Sequence, residues 1–172
     1  MLLVDAGNSV VKCRLISAKQ VTDLRFKLNA TEQTERKKLK IFLCKLDDIP
    51  VYLASVANES ITLQLTELIN LTMPRAPLKR LLTLPSLGSI KNAYKDHTQL
   101  GIDRWLTLLA AQDLVHSDVI VIDAGGAITL DLLSQTKGHL GGAILAGVNT
   151  DSERFRQIFS RLDFSSPEIG MT

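Results

Sequence analysis

The residues with the clearest capacity for chemistry stand in two stretches that echo each other. Leu3-Val-Asp5-Ala-Gly7-Asn-Ser-Val10 returns as Val121-Ile-Asp123-Ala-Gly125-Gly-Ala-Ile128, an offset of 118 residues from Asp5 to Asp123. Each copy is an apolar run, one carboxylate, a small residue and a glycine, then a second apolar run, which reads as strand, tight turn and strand. A carboxylate at a strand end can hold a cation or its waters. Backbone N–H groups gathered at a glycine turn can point together at an anion, and Gly7 and Gly125 let a ligand approach the main chain because no Cβ intrudes. One Asp-Ala-Gly turn alone fits an ordinary acidic turn. As a pair, the turns predict two related α/β lobes facing each other across a cleft suited to a nucleoside triphosphate.

A third stretch, Gly101-Ile-Asp103-Arg104, opens onto an apolar run at 106–115. Asp103 there fits a helix cap. It also fits a carboxylate that orients a substrate hydroxyl and takes its proton, being ionised at neutral pH with an ordinary pKa of about 3.9. Arg104 reads either as a two-pronged partner for a substrate carboxylate or as a surface charge at a helix start. Lys12 fits a phosphate contact and a solvent face equally well. Asp131 is expected to face solvent. Tyr94, a lone aromatic in a polar loop, reads as a packing tether as readily as a ligand contact. His97, His116 and His139 are scattered, and none is assigned to a metal. The chain has no Gly-x-x-x-x-Gly-Lys-Ser/Thr sequence, so it is not a P-loop kinase.

The elements that must position these residues follow from periodicity and punctuation. Strands are predicted at 2–4, 10–16 and, more loosely, 20–28, followed by a helix at 31–46 with early glutamates and late lysines. A strand at 51–56 precedes a helix at 61–70, capped by Asn58 or Ser60. Pro74, Pro77 and Pro85 punctuate loops around a short strand at 79–83. Residues 87–100 read as a surface loop where a substrate-contacting segment could sit. A helix at 106–115, strands at 119–122 and 128–133, a turn at 135–137 and a strand at 139–145 follow. A last helix is expected at 149–161, capped by Asn149 or Thr150.

Composition sets the frame. With 172 residues, 45% hydrophobic and 22% charged, the chain suits one substantial domain or two small ones of ordinary globular material. The lobes are expected at 1–116 and 117–172, the second incomplete because far fewer residues follow its hairpin: a reduced lobe, or a piece of something longer. A net charge of +2 is too small to argue for nucleic acid. The run Arg36-Lys37-Lys38 reads as a solvated helix face. Cys13 and Cys44 have no metal-type spacing, which suits a reduced, cytoplasmic protein. No signal peptide and no apolar run of about 18 residues is found, so no membrane partner is expected.

Taken together, Asp5 through Lys12, Gly101 through Arg104, Asp123-Ala-Gly-Gly-Ala-Ile-Thr-Leu-Asp131 and Gly141-Gly-Ala-Ile-Leu-Ala-Gly147 resemble the type III pantothenate kinases. These form a branch of the ribonuclease H-like actin/hexokinase/Hsp70 ATPase fold. The blocks stand in family order over nearly the whole chain. The resemblance implies ATP-dependent phosphorylation of the pantothenate hydroxyl, the first step toward coenzyme A, by a homodimer. It assigns the ATP phosphates to Asp5, Ala6, Gly7, Asn8, Ser9, Val10, Val11 and Lys12, with Gly126 also on the ATP side. Asp5 would hold Mg²⁺ through water, and Asp123 a monovalent cation, K⁺ or NH₄⁺. Asp103 would be the base, and Tyr94, Gly101, Ile102, Asp103 and Arg104 would meet the substrate. The chain departs from the family pattern with Ser9 and Gly126 where threonine is usual and Ala146 where proline is usual. It also lacks a C-terminal segment that supplies a threonine to the substrate pocket. Gly126 and that lack favour an alternative, a non-catalytic regulator of the Bvg accessory factor type; the intact Gly101–Arg104 block favours the kinase.

Overall fold

In the computed structural model, residues 1–7, 10–18, 20–27 and 33–147 are described. Strand β1 (Leu2–Ala6) turns back as β2 (Val10–Ile16), and β3 (Val21–Lys27) continues the antiparallel meander. On the other side of β1, β4 (Val51–Ser55) and β5 (Leu78–Arg80) run parallel to it, giving the sheet order β3-β2-β1-β4-β5. The parallel pairings need crossovers, supplied by helices α1 (Gln33–Leu43) and α2 (Glu59–Thr72). Strand alternation turns Leu2, Val4, Ala6, Val11 and Cys13 to one face, where they are buried against Leu39 and Leu43 of α1 and Leu65, Leu68 and Ile69 of α2. Each large aliphatic buried this way contributes roughly 1.5–3 kcal/mol. Asn58 caps α2, its Oδ1 accepting from the Ile61 N–H at 2.9 Å, as the sequence predicts. Arg36, Lys37 and Lys38 are exposed on α1, also as expected.

The stretch expected to be a surface loop at 87–100 is more structured than that. It folds as a small hairpin, β6 (Ser86–Leu87) and β7 (Ile90–Lys91), then a single 3-10 turn at His97–Gln99. Gly88 takes φ +59 in the hairpin turn, a conformation glycine adopts without penalty. Ile90 and Leu100 are fully buried, and Thr83 Oγ1 donates to the Leu100 carbonyl at 2.8 Å. The stretch has few apolar residues, and two of them, Ile90 and Leu100, bury completely while Leu87 stays exposed; such isolated anchors leave no periodic trace for sequence reading to find.

Helix α3 (Ile102–Leu114) begins four residues before the predicted 106, so Asp103 and Arg104 lie in its first turn rather than ahead of it. The second sheet is β8 (Val119–Ala124), β9 (Ala127–Ser134) and β10 (Gly138–Ala146), antiparallel in the order β10-β9-β8. Its hairpin pairs like the first but with one residue fewer in the turn, three between Ala124 and Ile128 against four between Ala6 and Val11. Leu2 opposite Leu15 and Ala6 opposite Val11 in the first become Ile120 opposite Leu132 and Ala124 opposite Ile128 in the second. α3 is wedged between the sheets: Trp105 and Leu108 pack in one core with Ala54 of β4 and Leu133 of β9. The face of the second sheet that corresponds to the helix-covered face of the first is open among the described residues, with Ile120 and Ile122 58% and 62% exposed. The helix expected at 149–161, with its cap at Asn149 or Thr150, lies outside the described residues. Among the described residues no helix is long and apolar enough to cross a membrane.

The two thiols differ in environment. Burial against the first core pushes the Cys13 thiol up to about 12, while Cys44 is exposed. Thiolate is the reactive form, so a disulfide-exchange reagent at neutral pH should label one cysteine, Cys44, in the native protein. Cys13 should react only with a rate that tracks unfolding in denaturant. Mass spectrometry of the labelled protein checks this, and rapid labelling of both sites would contradict the packing of β2.

Candidate active site

The first hairpin brings a charged pair to the sheet face opposite α1 and α2. Asp5 and Lys12 are cross-strand partners, and Lys12 Nζ lies 3.3 Å from Asp5 Oδ2 with both side chains about half exposed. They open onto a cavity of about 520 Å³ whose walls include Leu3, Tyr52, Leu81 and Leu106. The Gly7 N–H is occupied by the Val10 carbonyl at 3.0 Å. Ala6 and Val11 point into the core, so only their main chain can meet a ligand. Asn8 and Ser9 lie outside the described residues.

At the second turn, Asp123 is exposed beside Gly125 and Gly126, opposite Thr129. Its carboxylate has no hydrogen-bond or ion-pair partner among the described residues, which suits a group left to bind a cation. The Gly147 N–H donates to the Gly126 carbonyl at 3.2 Å. A Cβ on Gly147 would collide with the Gly125 and Gly126 carbonyl oxygens, so β10 seals against this turn only because glycine follows it.

Helix α3 presents the third group. Its N-cap is Gly101, which makes no side-chain cap bond, so Asp103 is not the cap residue. Asp103 is half-buried, and its Oδ1 accepts the Arg104 N–H at 2.7 Å. That contact satisfies one of the first-turn donors that the helix itself cannot. A Cβ at position 101 would press on the same Oδ1. Gly101 and Ile102 line a recess of about 340 Å³ at the helix start, together with Ser55, Val56, Thr83 and Leu100.

Two expectations are overturned in the same place. Arg104 is not a surface charge at a helix start, and Asp131 does not face solvent. Their side chains are 5% and 2% exposed. Arg104 Nε and Nη2 donate to Asp131 Oδ2 and Oδ1 at 2.7 and 2.6 Å. That bidentate contact raises the Arg104 pKa above its already high value, with the Tyr94 side chain adding to the effect. His139, also buried, places Nε2 2.9 Å from Asp131 Oδ1. The Tyr94 ring stacks on the His139 imidazole with centroids 6.0 Å apart and 22° between planes. Tyr94 is thus partly buried and packed on His139. Among the described residues no cluster of histidine, cysteine or carboxylate side chains is arranged to hold a metal ion.

The comparisons with known proteins bear on this arrangement. A family profile described as type III pantothenate kinase matches residues 1–169. The chain belongs to the type III pantothenate kinase family. Proteins of that name from Marinomonas sp. (strain MWYL1) and Pseudomonas aeruginosa (strain LESB58) are 30% and 31% identical to it over 98% of its length. One from Chromobacterium violaceum is 34% identical over 85%. The chain spans 65% and 66% of the Marinomonas and Pseudomonas proteins and 58% of the Chromobacterium one. A solved Campylobacter jejuni structure described as a Baf family transcriptional activator aligns over 97% of this chain and 61% of its own, with 26% identity and a TM-score of 0.47.

Asp131 and His139 are the residues that sequence reading missed in this member of the type III pantothenate kinase family. The available signal was weak: an aspartate amid Leu130, Leu132 and Leu133, and a histidine before two glycines. Gly142, cross-strand from Asp131, completes the arrangement, since a Cβ there would overlap Asp131 Oδ1 and Arg104 Nη2.

Removing one member of a buried ion pair strands the other, at a cost of about 3–5 kcal/mol. Asp131→Asn should lower the urea-unfolding free energy of the protein by that order. Gly142→Ala should also destabilise it, by forcing the pair apart. The double substitution Arg104→Met/Asp131→Leu should recover part of the loss, because no charge is then left unpaired although the buried His139 Nε2–H loses its acceptor. Equal stability of Asp131→Asn and wild type would show that the pair is not buried in solution.

Proposed function

We propose that this protein, as part of its full-length chain, transfers the γ-phosphoryl group of ATP to the hydroxyl of pantothenate. The observation that carries the reading is the family match over residues 1–169 joined to a half-buried carboxylate, Asp103, on the first turn of a helix that packs against both sheets. In this reading the chain forms two lobes of the actin/hexokinase/Hsp70 type, 1–116 and 117–172, with ATP between their hairpins. The recurrence of an antiparallel hairpin opened by Asp5 and by Asp123 supports the pairing of the lobes.

Phosphoryl transfer demands alignment and charge stabilisation more than covalent work by the protein. Asp103 orients the pantothenate hydroxyl and accepts its proton as the oxygen–phosphorus bond forms and the bond to the leaving ADP breaks. The second Asp103 oxygen has no protein partner among the described residues, leaving it free for that proton. The first turn, Asp5 through Val11, and Lys12 steady the phosphates, and Gly126 closes the ATP side. Tyr94, Gly101, Ile102 and the edge of Arg104 not engaged by Asp131 form the pantothenate end. Bound Mg²⁺ would neutralise phosphate charge. Asp5, an exposed carboxylate on the cavity wall beside a cation, suits an ion that keeps its waters. Asp123, unpartnered at its turn, suits K⁺ or NH₄⁺. A cytoplasmic homodimer completes the reading.

The test is ADP release by the full-length protein with ATP, Mg²⁺, K⁺ and pantothenate. Asp103→Asn should keep the wild-type melting temperature and lose about 10²–10⁴ in turnover, the usual worth of a general base. Wild-type turnover in Asp103→Asn would remove Asp103 from the role, and ADP release that does not depend on pantothenate would remove the substrate.

A further inference from the structure

Behind the pantothenate end lie two buried residues that the chemistry above does not use, Asp131 and His139. A chain of contacts runs from Arg104 on α3 to Asp131 on β9, to His139 on β10, and on to the segment Asn92–Tyr94. His139 Nδ1 accepts the Ala93 N–H at 3.4 Å, so the ring proton sits on Nε2 and is donated to Asp131 Oδ1 at 2.9 Å. The hydrogen-bond network thus assigns His139 the Nε2–H tautomer. Its ring carries Tyr94 on one face. Asn92, buried, accepts the Tyr94 N–H at 3.0 Å through Oδ1, fixing the same segment from its other side. Gly138 delivers the histidine. It takes φ +77, and a Cβ there would lie 2.6 Å from the Lys91 nitrogen, so only glycine lets β10 seat against β7 one residue before His139.

We propose that Asp131 and His139 are positioning residues for the acceptor end of the site. Asp131 fixes the direction of Arg104, and His139 latches Asn92–Tyr94 onto that pair, so that Tyr94 and Arg104 meet the acceptor as one prearranged wall. What binds at the wall rests on the kinase reading above; what holds the wall rests on geometry alone. Prearrangement lowers the ordering cost of binding, so its loss acts on acceptor affinity rather than on ATP.

Two substitutions separate the two contacts of His139. His139→Gln keeps an N–H donor for Asp131 and removes the ring under Tyr94. His139→Phe keeps the ring and removes the donor. In the full-length protein both should raise the KM for pantothenate about tenfold, leave the KM for ATP within about twofold, and change kcat less than the pantothenate KM. A role confined to stability would lower the melting temperature and the active fraction without moving either KM. Aromatic NMR resonances of Tyr94 give a readout independent of turnover and should shift markedly in His139→Gln as the stack is lost. If the wild-type protein phosphorylates no pantothenate, the kinase reading falls, and the latch is judged on those resonances and on the Nε2–H signal of His139. If neither variant folds, Tyr94→Leu, which leaves the buried pair intact, must fold and raise the same KM. An unchanged pantothenate KM in folded variants, or Tyr94 resonances that stay in place, overturns the proposal.

Discussion

The structure depends on a guanidinium and a carboxylate removed together from water. Arg104 and Asp131 come from elements separated by most of a helix and a full strand, and their side chains are 5% and 2% exposed. Desolvating either alone would cost several kcal/mol, so each tolerates burial only in the presence of the other. That mutual need fixes the first turn of α3 over the middle of β9, at a point where Gly142 leaves room on β10. Because Trp105 and Leu108 of α3 also pack with Ala54 of the first sheet, the pair sets where the second sheet sits relative to the first. An apolar contact at the same place would hold the layers together but would tolerate sliding. A bidentate contact does not.

The two hairpins are one backbone module put to opposite uses. In the first, the apolar alternation faces α1 and α2 while Asp5, Lys12 and Arg14 face an open cavity. In the second, the side carrying Asp123 and Asp131 turns toward α3, and the apolar side with Ile120 and Ile122 is open among the described residues. Arg14, opposite Leu3, and Asp131, opposite Val121, hold matching positions. Arg14 meets its cross-strand partner Asp23 in water, at 2.7 Å from Nε, where such a pair is screened and contributes little. Asp131 has a glycine as its neighbour on β10, and the partner arrives from above. The same register thus yields a surface ion pair in one sheet and a structural clamp in the other.

Much of this was legible in the chain. β2 has the predicted bounds because Val11 and Cys13 alternate with Lys12 and Arg14, a pattern with one solution on a half-buried strand. The Asn58 cap and the two glycine turns were equally plain, since their chemistry is local. What escaped was non-local. Nothing near Asp131 announces that its counter-charge lies 27 residues upstream on a helix, and strand alternation alone cannot say which face of a second sheet will be covered. Arg104 misled for the same reason: a charge at a helix start is usually exposed, and only the packed strand beneath makes it otherwise. The segment 87–100 hid its order because Ile90 and Leu100 act as single anchors rather than as a face.

The clamp also decides what its neighbour can do. Successive residues of a helix point about 100° apart, and residues three apart share a face. With Ile102, Arg104 and Trp105 all buried, the remaining direction in the first turn belongs to Asp103. Leu106, three residues on, shares that side and lines the cavity that Asp5 and Lys12 open onto. Asp103 is therefore left half-buried outside the core, next to Gly101 of the recess at the helix start, held by a backbone N–H from the very residue that is locked into the sheet. A carboxylate on a freely rotating surface turn would lack that fixed bearing. Here the buried charge pair supplies it, and the carboxylate of that first turn is the one the clamp excludes from the core.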